Sequence, residues 1–129
     1  MNEQTRTPID DVRTVGVPVS DQDRALEFYL DKLGFEKRLD IPLPQFGGRW
    51  IEVAPAGAAI TIALVPARED VPAGVETGIR FTTANAAAVH ADLQARDVEV
   101  GELLSWPGVP AMFAVRDQDG NGLEIVQAA

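Results

Sequence analysis

The sequence lacks cysteine entirely, and His90 is the single histidine among its 129 residues. The absence of cysteine excludes disulfide frameworks, Cys-ligated zinc or iron–sulfur sites and thiol nucleophiles. It does not by itself fix the redox compartment. His90 falls in the alanine-rich helical segment AAAVHADLQARD, on the side that we expect to face solvent, and we assign it no catalytic or ligand role.

Positive charge is also scarce, since 11 Lys and Arg stand against 20 Asp and Glu and the net charge is -9. Such a field repels phosphate backbones and anionic lipid, so nucleic acid is not an expected partner. The longest apolar stretch, residues 56–67, contains Thr61 and is shorter than the roughly 18 residues of a membrane span. The N-terminal sequence MNEQTRTPIDD has no apolar core of a secretory signal. We predict a soluble cytoplasmic protein without a membrane partner.

The composition that is present is that of one globular domain, with 46% hydrophobic and 24% charged residues. A chain of this length buries roughly two-thirds of its unfolded surface, so it can build a core without metal or disulfide support.

The first half of the chain reads as a strand, a helix and three strands. Residues 12–20 alternate as a half-buried strand does, with Val15, Val17 and Val19 on one face. Ser20 is the predicted N-cap of an amphipathic helix that ends at Gly34. Strand-like runs follow at 35–41, 49–54 and 59–65.

A polar, proline-containing segment, PAREDVPAG, separates this first half from a second half in which strands and helix follow in the same order. Residues 78–83 alternate, 84–96 are typical of a helix, 98–104 are extended, and strands at 112–116 and 123–127 flank the turn DQDGNG. Val15, Leu30 and Ala63 fall on Ile79, Leu93 and Glu124 at offsets of 64, 63 and 61 residues. An internal duplication is the economical interpretation. We predict a single domain, 1–129, with modules at about 12–66 and 77–128 and a linker at about 66–76.

Two segments carry a resemblance to a known family. The segment VSDQDRALEFYLDKLGF, residues 19–35, resembles the first module of the vicinal oxygen chelate superfamily, which includes glyoxalase I, bleomycin-resistance proteins, fosfomycin-resistance enzymes and extradiol dioxygenases. The segment DQDGNGLEIVQ, residues 117–127, is similar to the motif that ends the second module. The resemblance implies an α+β fold in which two tandem βαβββ modules form curved mixed sheets around a ligand-binding cleft. It also implies a homodimer, in which a partner helps to cover the open faces.

The resemblance places the metal ligands of metal-using members at Thr14, Ala63, Gly78 and Glu124. Only Glu124 can ligate a divalent ion strongly, because such sites need converging imidazole and carboxylate groups. We therefore expect no metal and no other cofactor. Standard glyoxalase, fosfomycin-transferase and dioxygenase chemistry, which depends on that ion, is not expected either.

Glu124 has two interpretations. It can be an exposed residue of the final turn and strand, since acids are mostly exposed. Alternatively, Ile79 and Phe81 pack under the helix, which leaves Gly78, Arg80 and Thr82 facing the cavity. In that case Arg80 lies on the same face as Glu124 and can pair with it, which provides a polar anchor for a ligand.

The remaining candidates are aromatic or polar residues at the expected cleft. Trp106 lies in a loop punctuated by Pro and Gly, and such loops at a cavity mouth often carry binding residues. Trp50 and Phe46 are further aromatic candidates for a mostly apolar cleft that has a few polar groups. The predicted ligand-binding set is Thr14, Trp50, Glu52, Arg80, Thr82, Trp106, Phe113 and Glu124.

These observations favour metal-independent binding of a small, partly apolar or aromatic molecule, in the manner of a bleomycin-resistance-type protein. The alternative is a lyase, isomerase or dioxygenase that uses a divalent ion in a nonstandard ligand set, with Glu124 and either Glu52 or water as ligands. A third option is a small-molecule sensor or partner-binding module. The sequence alone does not name the ligand.

Overall fold

The computed structural model describes residues 7–128, apart from the side chain of Phe46. Each half contains a strand, a helix and three strands in that order, as the repeat in the sequence predicts. The elements are β1 (Thr14–Val19), α1 (Gln22–Glu27, continued by a π-helical turn over Phe28–Lys32), β2 (Glu36–Leu43), a 3₁₀ turn (Pro44–Phe46), β3 (Gly48–Ala54), β4 (Thr61–Pro66), β5 (Glu76–Thr83), α2 (Ala86–Ala95), β6 (Leu104–Trp106), β7 (Val109–Arg116) and β8 (Gly122–Gln127). Among the described residues, no helix is long and apolar enough to cross a membrane.

The strands form two four-stranded mixed sheets, ordered β1-β4-β3-β2 and β5-β8-β7-β6. In each sheet the first and last strands of the module pair in parallel, and the other pairs are antiparallel. The predicted α+β fold of two βαβββ modules is confirmed. β1 and β5 are therefore edge strands, each with a single paired neighbour in its sheet.

One hydrophobic core draws on both halves of the chain. Alternation along β1 turns Val17 and Val19 inward, and alternation along β7 does the same for Phe113 and Val115. Tyr29 is fully buried among these side chains. Burial of each large apolar side chain contributes about 1.5–3 kcal/mol, so the shared core holds the two sheets in one unit.

The turn between β7 and β8, residues 117–121, locks the second half onto the first. The Nδ2 of Asn121 donates to the carbonyl oxygen of Pro18 (2.9 Å), and the Tyr29 hydroxyl donates to Asp117 (2.8 Å). The hydroxyl and backbone N–H of Ser20 both donate to the Asp119 carboxylate (2.5 and 3.0 Å). These bonds join residues about 90 to 100 positions apart, so they fix the position of β8 relative to β1.

Two local expectations are corrected. The N-cap of α1 is Asp21 rather than Ser20, because Asp21 accepts from the N–H groups of Asp23 and Arg24 while Ser20 binds Asp119. Residues 98–104 form no strand before Leu104; they are tied to β7 by an isolated bridge between residues 100 and 115.

His90 is half-buried rather than facing solvent. Its Nε2 donates to the carbonyl oxygen of Gly101 (2.8 Å), since a carbonyl can only accept, and its ring packs edge-on against Phe113 with centroids 4.9 Å apart. These two contacts give His90 a structural role between α2 and β7.

Candidate functional site

The positions that the family resemblance assigns to a metal ion do not form a ligand set. Ala63 has no donor side chain and is fully buried, and Gly78 has no side chain. Thr14 is engaged with Thr61, the two hydroxyl oxygens lying 2.8 Å apart. Between residues 7 and 128, no group of three or more His, Asp or Glu side chains is arranged to hold an ion. The residues present therefore do not fit the divalent ion of metal-using members.

The carboxylate at the fourth of these positions, Glu124, is paired with Arg80. The two residues are partners in the β5–β8 ladder, and the Nε of Arg80 donates to Glu124 over 2.8 Å. Ile79 and Phe81 pack against the core, so the alternation predicted for β5 and the predicted contact are both confirmed. The pair is wet, since the side chains of Arg80 and Glu124 are 61% and 39% exposed. Its own contribution to stability is consequently about 0.2–1 kcal/mol.

Gly78 lies in a β-bulge, where the backbone of β5 departs from regular strand geometry. The register shifts between the pairs Glu76–Gly122 and Arg80–Glu124, and the φ angle of Gly78 is 74°. Inside the bulge, the Thr77 hydroxyl donates to the carbonyl oxygen of Gly122 (2.7 Å). A side chain at position 78 meets no steric neighbour but sits in the left-handed region, at a cost of about 1 kcal/mol. Position 78 thus lacks a ligating side chain, and its left-handed backbone also disfavours the residues that could supply one.

Glu52 is the most buried charged group of the first sheet, with 4% of its surface exposed. Its carboxylate accepts from the Trp50 indole N–H (2.8 Å) and from the Thr61 hydroxyl (2.8 Å). The Arg13 guanidinium lies 3.6 Å away at the solvent side. Trp50 and Glu52 are two residues apart on β3, so they share a face, whereas Thr61 reaches Glu52 from β4.

Burial opposes the charge on Glu52, but the hydrogen bonds outweigh it. Desolvation raises the pKa of the carboxyl, whereas donation by Trp50 and Thr61 and the nearby Arg13 charge lower it, and the net pKa lies below the usual value. A carboxyl with a lowered pKa in the folded state stabilises the fold above its unfolded pKa of about 4.3, and that stabilisation is lost as the pH falls.

We expect Glu52→Gln to reduce stability at pH 7 by about 1–2 kcal/mol, because an uncharged amide accepts less strongly from Trp50 and Thr61. The same substitution should make stability fall less steeply between about pH 6 and pH 3, because the proton-linked contribution of Glu52 is gone. Urea unfolding at several pH values measures both effects. Glu99→Gln, at an exposed acid, is the matched control. If the free energy of unfolding of Glu52→Gln fell with pH as steeply as that of the wild type, the stabilising role of the Glu52 carboxylate would be contradicted.

A groove of about 780 Å³ lies between β5, an edge strand of the second sheet, and the turn that connects β3 and β4. Residues 55–60, the β3–β4 turn, form one wall, and residues 77–82 of β5 form the other; Val15 and Ile62 complete the lining. Arg80 and Thr82 are the two members of the predicted ligand-binding set that line it. The volume falls in the range of small-molecule sites, and most of the lining is apolar.

The repeat explains why this groove is open. At the offset of 61 residues, Asp117, Asp119 and Asn121 correspond to Ala56, Ala58 and Ile60. The polar side chains of the second-half turn bind it to Pro18, Ser20 and Tyr29 of the first half. Two alanines and an isoleucine cannot make the equivalent hydrogen bonds to β5. The first-half turn is instead held by Arg38 of β2, which donates to the carbonyl oxygens of Ala58 and Pro55 (3.0 and 3.1 Å). Within the described residues it has no equivalent tie to β5, and a groove stands where the other half has a hydrogen-bonded contact.

The other predicted site residues lie apart from this groove. Glu52 and Thr61 border a pocket of about 290 Å³, and Trp50 borders one of about 170 Å³ with Val65 and Val71. Trp106 is 53% exposed on β6, the outer edge of the second sheet.

Phe113 requires a correction, because it does not line the cleft. Its side chain is 1% exposed and lies within the core, on the face of β7 that packs against α2. Phe46, whose side chain lies outside the described part of the structure, is not assigned. Thr61 and Arg13 were missed by the sequence reasoning. Their contacts come from tertiary packing: Thr61, which pairs with Thr14 in the β1–β4 register, donates to Glu52, and Arg13 lies 3.6 Å from the same carboxylate.

Comparison with known proteins gives a consistent family result. Residues 11–125 match the family model described as the Glyoxalase/Bleomycin resistance protein/Dioxygenase superfamily. An uncharacterized protein of Bacillus subtilis, YetH, is 31% identical over 118 residues, which are 88% of this chain and 94% of the relative.

Solved structures are similar over nearly the whole chain. TnmS3, an antibiotic binding protein from Streptomyces sp. CB03234, is 33% identical with a TM-score of 0.85, and the match covers 96% of this chain and 100% of that one. A superfamily member from Sphaerobacter thermophilus is 33% identical with a TM-score of 0.84, over 93% of this chain and 98% of the other.

Proposed function

The chain belongs to the glyoxalase/bleomycin resistance protein/dioxygenase superfamily, and within it we propose that the protein binds a small, partly apolar or aromatic molecule without a metal ion. The observation that carries the proposal is the groove of about 780 Å³ between the β3–β4 turn and β5. Its apolar walls remove aromatic surface from water, which is the main driving force for binding such a molecule.

Two further observations support this function over a metal-dependent one. Of the four family ligand positions only Glu124 carries a strong donor, and Arg80 already holds it. The similar protein TnmS3 is described as antibiotic binding, and we extend to this chain the coarser idea of a small organic ligand. The predicted roles of Thr14, Trp50, Glu52 and Trp106 in binding stay proposals, and none of the four lines the groove.

A neutral two-ring aromatic amide, 2-naphthamide, tests the proposal on chelator-treated protein. At about 0.3 kcal/mol per non-hydrogen atom, a probe of about 13 such atoms binds with about 4 kcal/mol, a Kd on the order of 1 mM. We expect an NMR titration to show saturable shifts that map to residues 55–60 and 77–82. Chelator should leave the Kd unchanged.

Two tryptophan variants locate the site. Ala56→Trp fills the groove and should raise the Kd for 2-naphthamide at least tenfold, because Ala56 is an exposed residue of the groove wall. Ala91→Trp, at an exposed position on α2, adds the same side chain elsewhere and should leave the Kd unchanged. Equal loss in both variants, or binding only after a divalent ion is added, would contradict the proposal.

Metal content is a separate prediction. The purified protein, dialysed without chelator, should contain much less than one zinc, nickel, iron or manganese ion per chain by elemental analysis, since a single paired carboxylate binds such ions weakly. Glu99→Gln serves as the control for removal of one acid. One ion per chain that is lost in Glu124→Gln and kept in Glu99→Gln would instead support the lyase, isomerase or dioxygenase alternative.

We also propose a homodimer, formed through the outer edges of the sheets. Ile41 on β2 and Trp106 and Val109 on the β6–β7 hairpin are exposed large apolar side chains, and edge strands with such residues tend to pair. Sedimentation at micromolar concentration should give about twice the chain mass of 13.9 kDa. A mass of one chain would refute the dimer.

We propose the cytoplasm as the location, which cell fractionation tests.

A further inference from the structure

We infer that the groove selects ligands that carry an anionic oxygen group, such as a carboxylate or phenolate, beside their aromatic body, and that Arg80 determines this specificity. The inference rests on the proposed function and adds the chemical class of the ligand. It follows from the charge, the free donors and the position of one side chain.

Arg80 is the only charged residue among the described residues that line the groove. The remaining lining is formed by alanine, glycine, proline, aliphatic and aromatic residues together with Thr77 and Thr82. An anion that enters the groove therefore meets one cation and no lining carboxylate. The acidic partner of Arg80, Glu124, is not part of the lining.

The Arg80 guanidinium group has hydrogen-bond donors that its contact with Glu124 does not use. A guanidinium carries five N–H donors, and within residues 7–128 only the Nε–H of Arg80 makes a hydrogen bond, to Glu124. The four N–H groups of the two terminal nitrogens form the planar fork that binds a carboxylate in bidentate fashion. The side chain is 61% exposed, so a ligand can reach this fork without displacing the protein contact.

Glu124 orients the fork and also limits its attraction for an anion. The Nε contact restricts the guanidinium beside the groove, which lowers the entropy lost when a ligand binds. The same carboxylate reduces the local positive potential. Removal of its charge in Glu124→Gln should therefore strengthen the binding of an anionic ligand while it leaves a neutral ligand unaffected.

The net charge of -9 opposes this preference, but only at long range. At an ionic strength of about 0.15 M the screening length is about 8 Å, so distant carboxylates act weakly on a ligand in the groove. A direct contact with Arg80 is shorter than this length. The local cation should consequently decide which ligand binds, and added salt should weaken the preference only moderately.

Three probes of one shape separate the possibilities: 2-naphthoate, 2-naphthamide and 2-naphthylmethylammonium. In NMR titrations at about 0.15 M salt we expect 2-naphthoate to bind about three- to tenfold more tightly than the amide, and the ammonium to bind most weakly. Arg80→Met should remove the advantage of the anion and keep amide binding. Arg80→Lys should restore part of it, and Glu124→Gln should increase it about two- to threefold.

Arg68→Met is the matched control, since Arg68 is a comparably exposed arginine outside the groove, and it should change no Kd. Equal binding of naphthoate and amide, a preference that survives Arg80→Met, or preferred binding of the ammonium would overturn the inference while amide binding still upholds the proposed function. Failure of all three probes to bind would overturn both. Dispersed amide spectra of each variant confirm that the fold is intact.

Discussion

Asn121→Ala should lower the free energy of unfolding by about 3–5 kcal/mol. The Asn121 side chain is fully buried and makes four hydrogen bonds. It accepts from the N–H groups of Gly74 and Val75, and it donates to Pro18 and to the Asp117 carboxylate. Alanine leaves these buried groups without partners, and each unsatisfied group costs about 1–3 kcal/mol unless water enters. Urea denaturation followed by circular dichroism measures the loss.

Asn121→Asp is the informative companion variant. It keeps the shape and the acceptor oxygen of the side chain but removes the donors and sets a second carboxylate 3.0 Å from Asp117. We expect it to be destabilising as well, because like charges repel at this distance. Asn85→Ala removes the exposed N-cap of α2 and should cost only about 1 kcal/mol. A loss below about 1 kcal/mol for Asn121→Ala would mean that the 117–121 turn does not hold the halves together.

Phe113→Ala should lower the free energy of unfolding by about 3–5 kcal/mol, with little direct effect on the ligand. The ring is almost completely buried and packs against His90, so truncation creates a cavity between β7 and α2. Phe113→Leu keeps most of the volume and should cost much less. Thermal and urea unfolding of both variants measure the difference.

Trp106→Ala provides the contrast with Phe113. Because its indole is about half exposed, its removal should change stability by no more than about 0.5–1 kcal/mol.

Phe113→Ala should retain the Kd for 2-naphthamide under conditions where the variant is folded. A stable Phe113→Ala that loses probe binding would reverse the assignment and return Phe113 to the cleft.

Two different kinds of information in the sequence predicted the fold and the ion pair. The repeat at 61 to 64 residues predicted the order of elements, because duplicated segments with the same hydrophobic periodicity fold in the same way. Strict alternation along β5, with Ile79 and Phe81 apolar and Arg80 and Thr82 polar, assigned the faces of that strand. The resemblance made β8 the neighbour of β5, and the contact between Arg80 and Glu124 followed.

Alternation was not decisive along β7. Met112, Phe113, Ala114 and Val115 are all apolar, so the pattern cannot tell which face is buried. Packing against α2 decides, since the helix covers the face that bears Phe113 and Val115. The strand that contains Phe113 was therefore predicted correctly, but the face of the sheet on which its side chain lies was predicted wrongly.

The sequence by itself determined the family and the two-module α+β fold, since these depend on residue identity and local periodicity. It also has Thr14, Ala63 and Gly78 at three of the four positions that the resemblance assigns to metal ligands. The tertiary structure decided which residues meet. The pairing of β3 with β4 brought the Thr61 hydroxyl to Glu52, and the approach of the β3–β4 turn to β5 created the groove. Ile60 occupies the position equivalent to Asn121, and the fold shows what this difference does: Asn121 binds Pro18, whereas Ile60 lines the groove. Contacts between distant segments depend on how sheets pack, and no local pattern encodes that geometry.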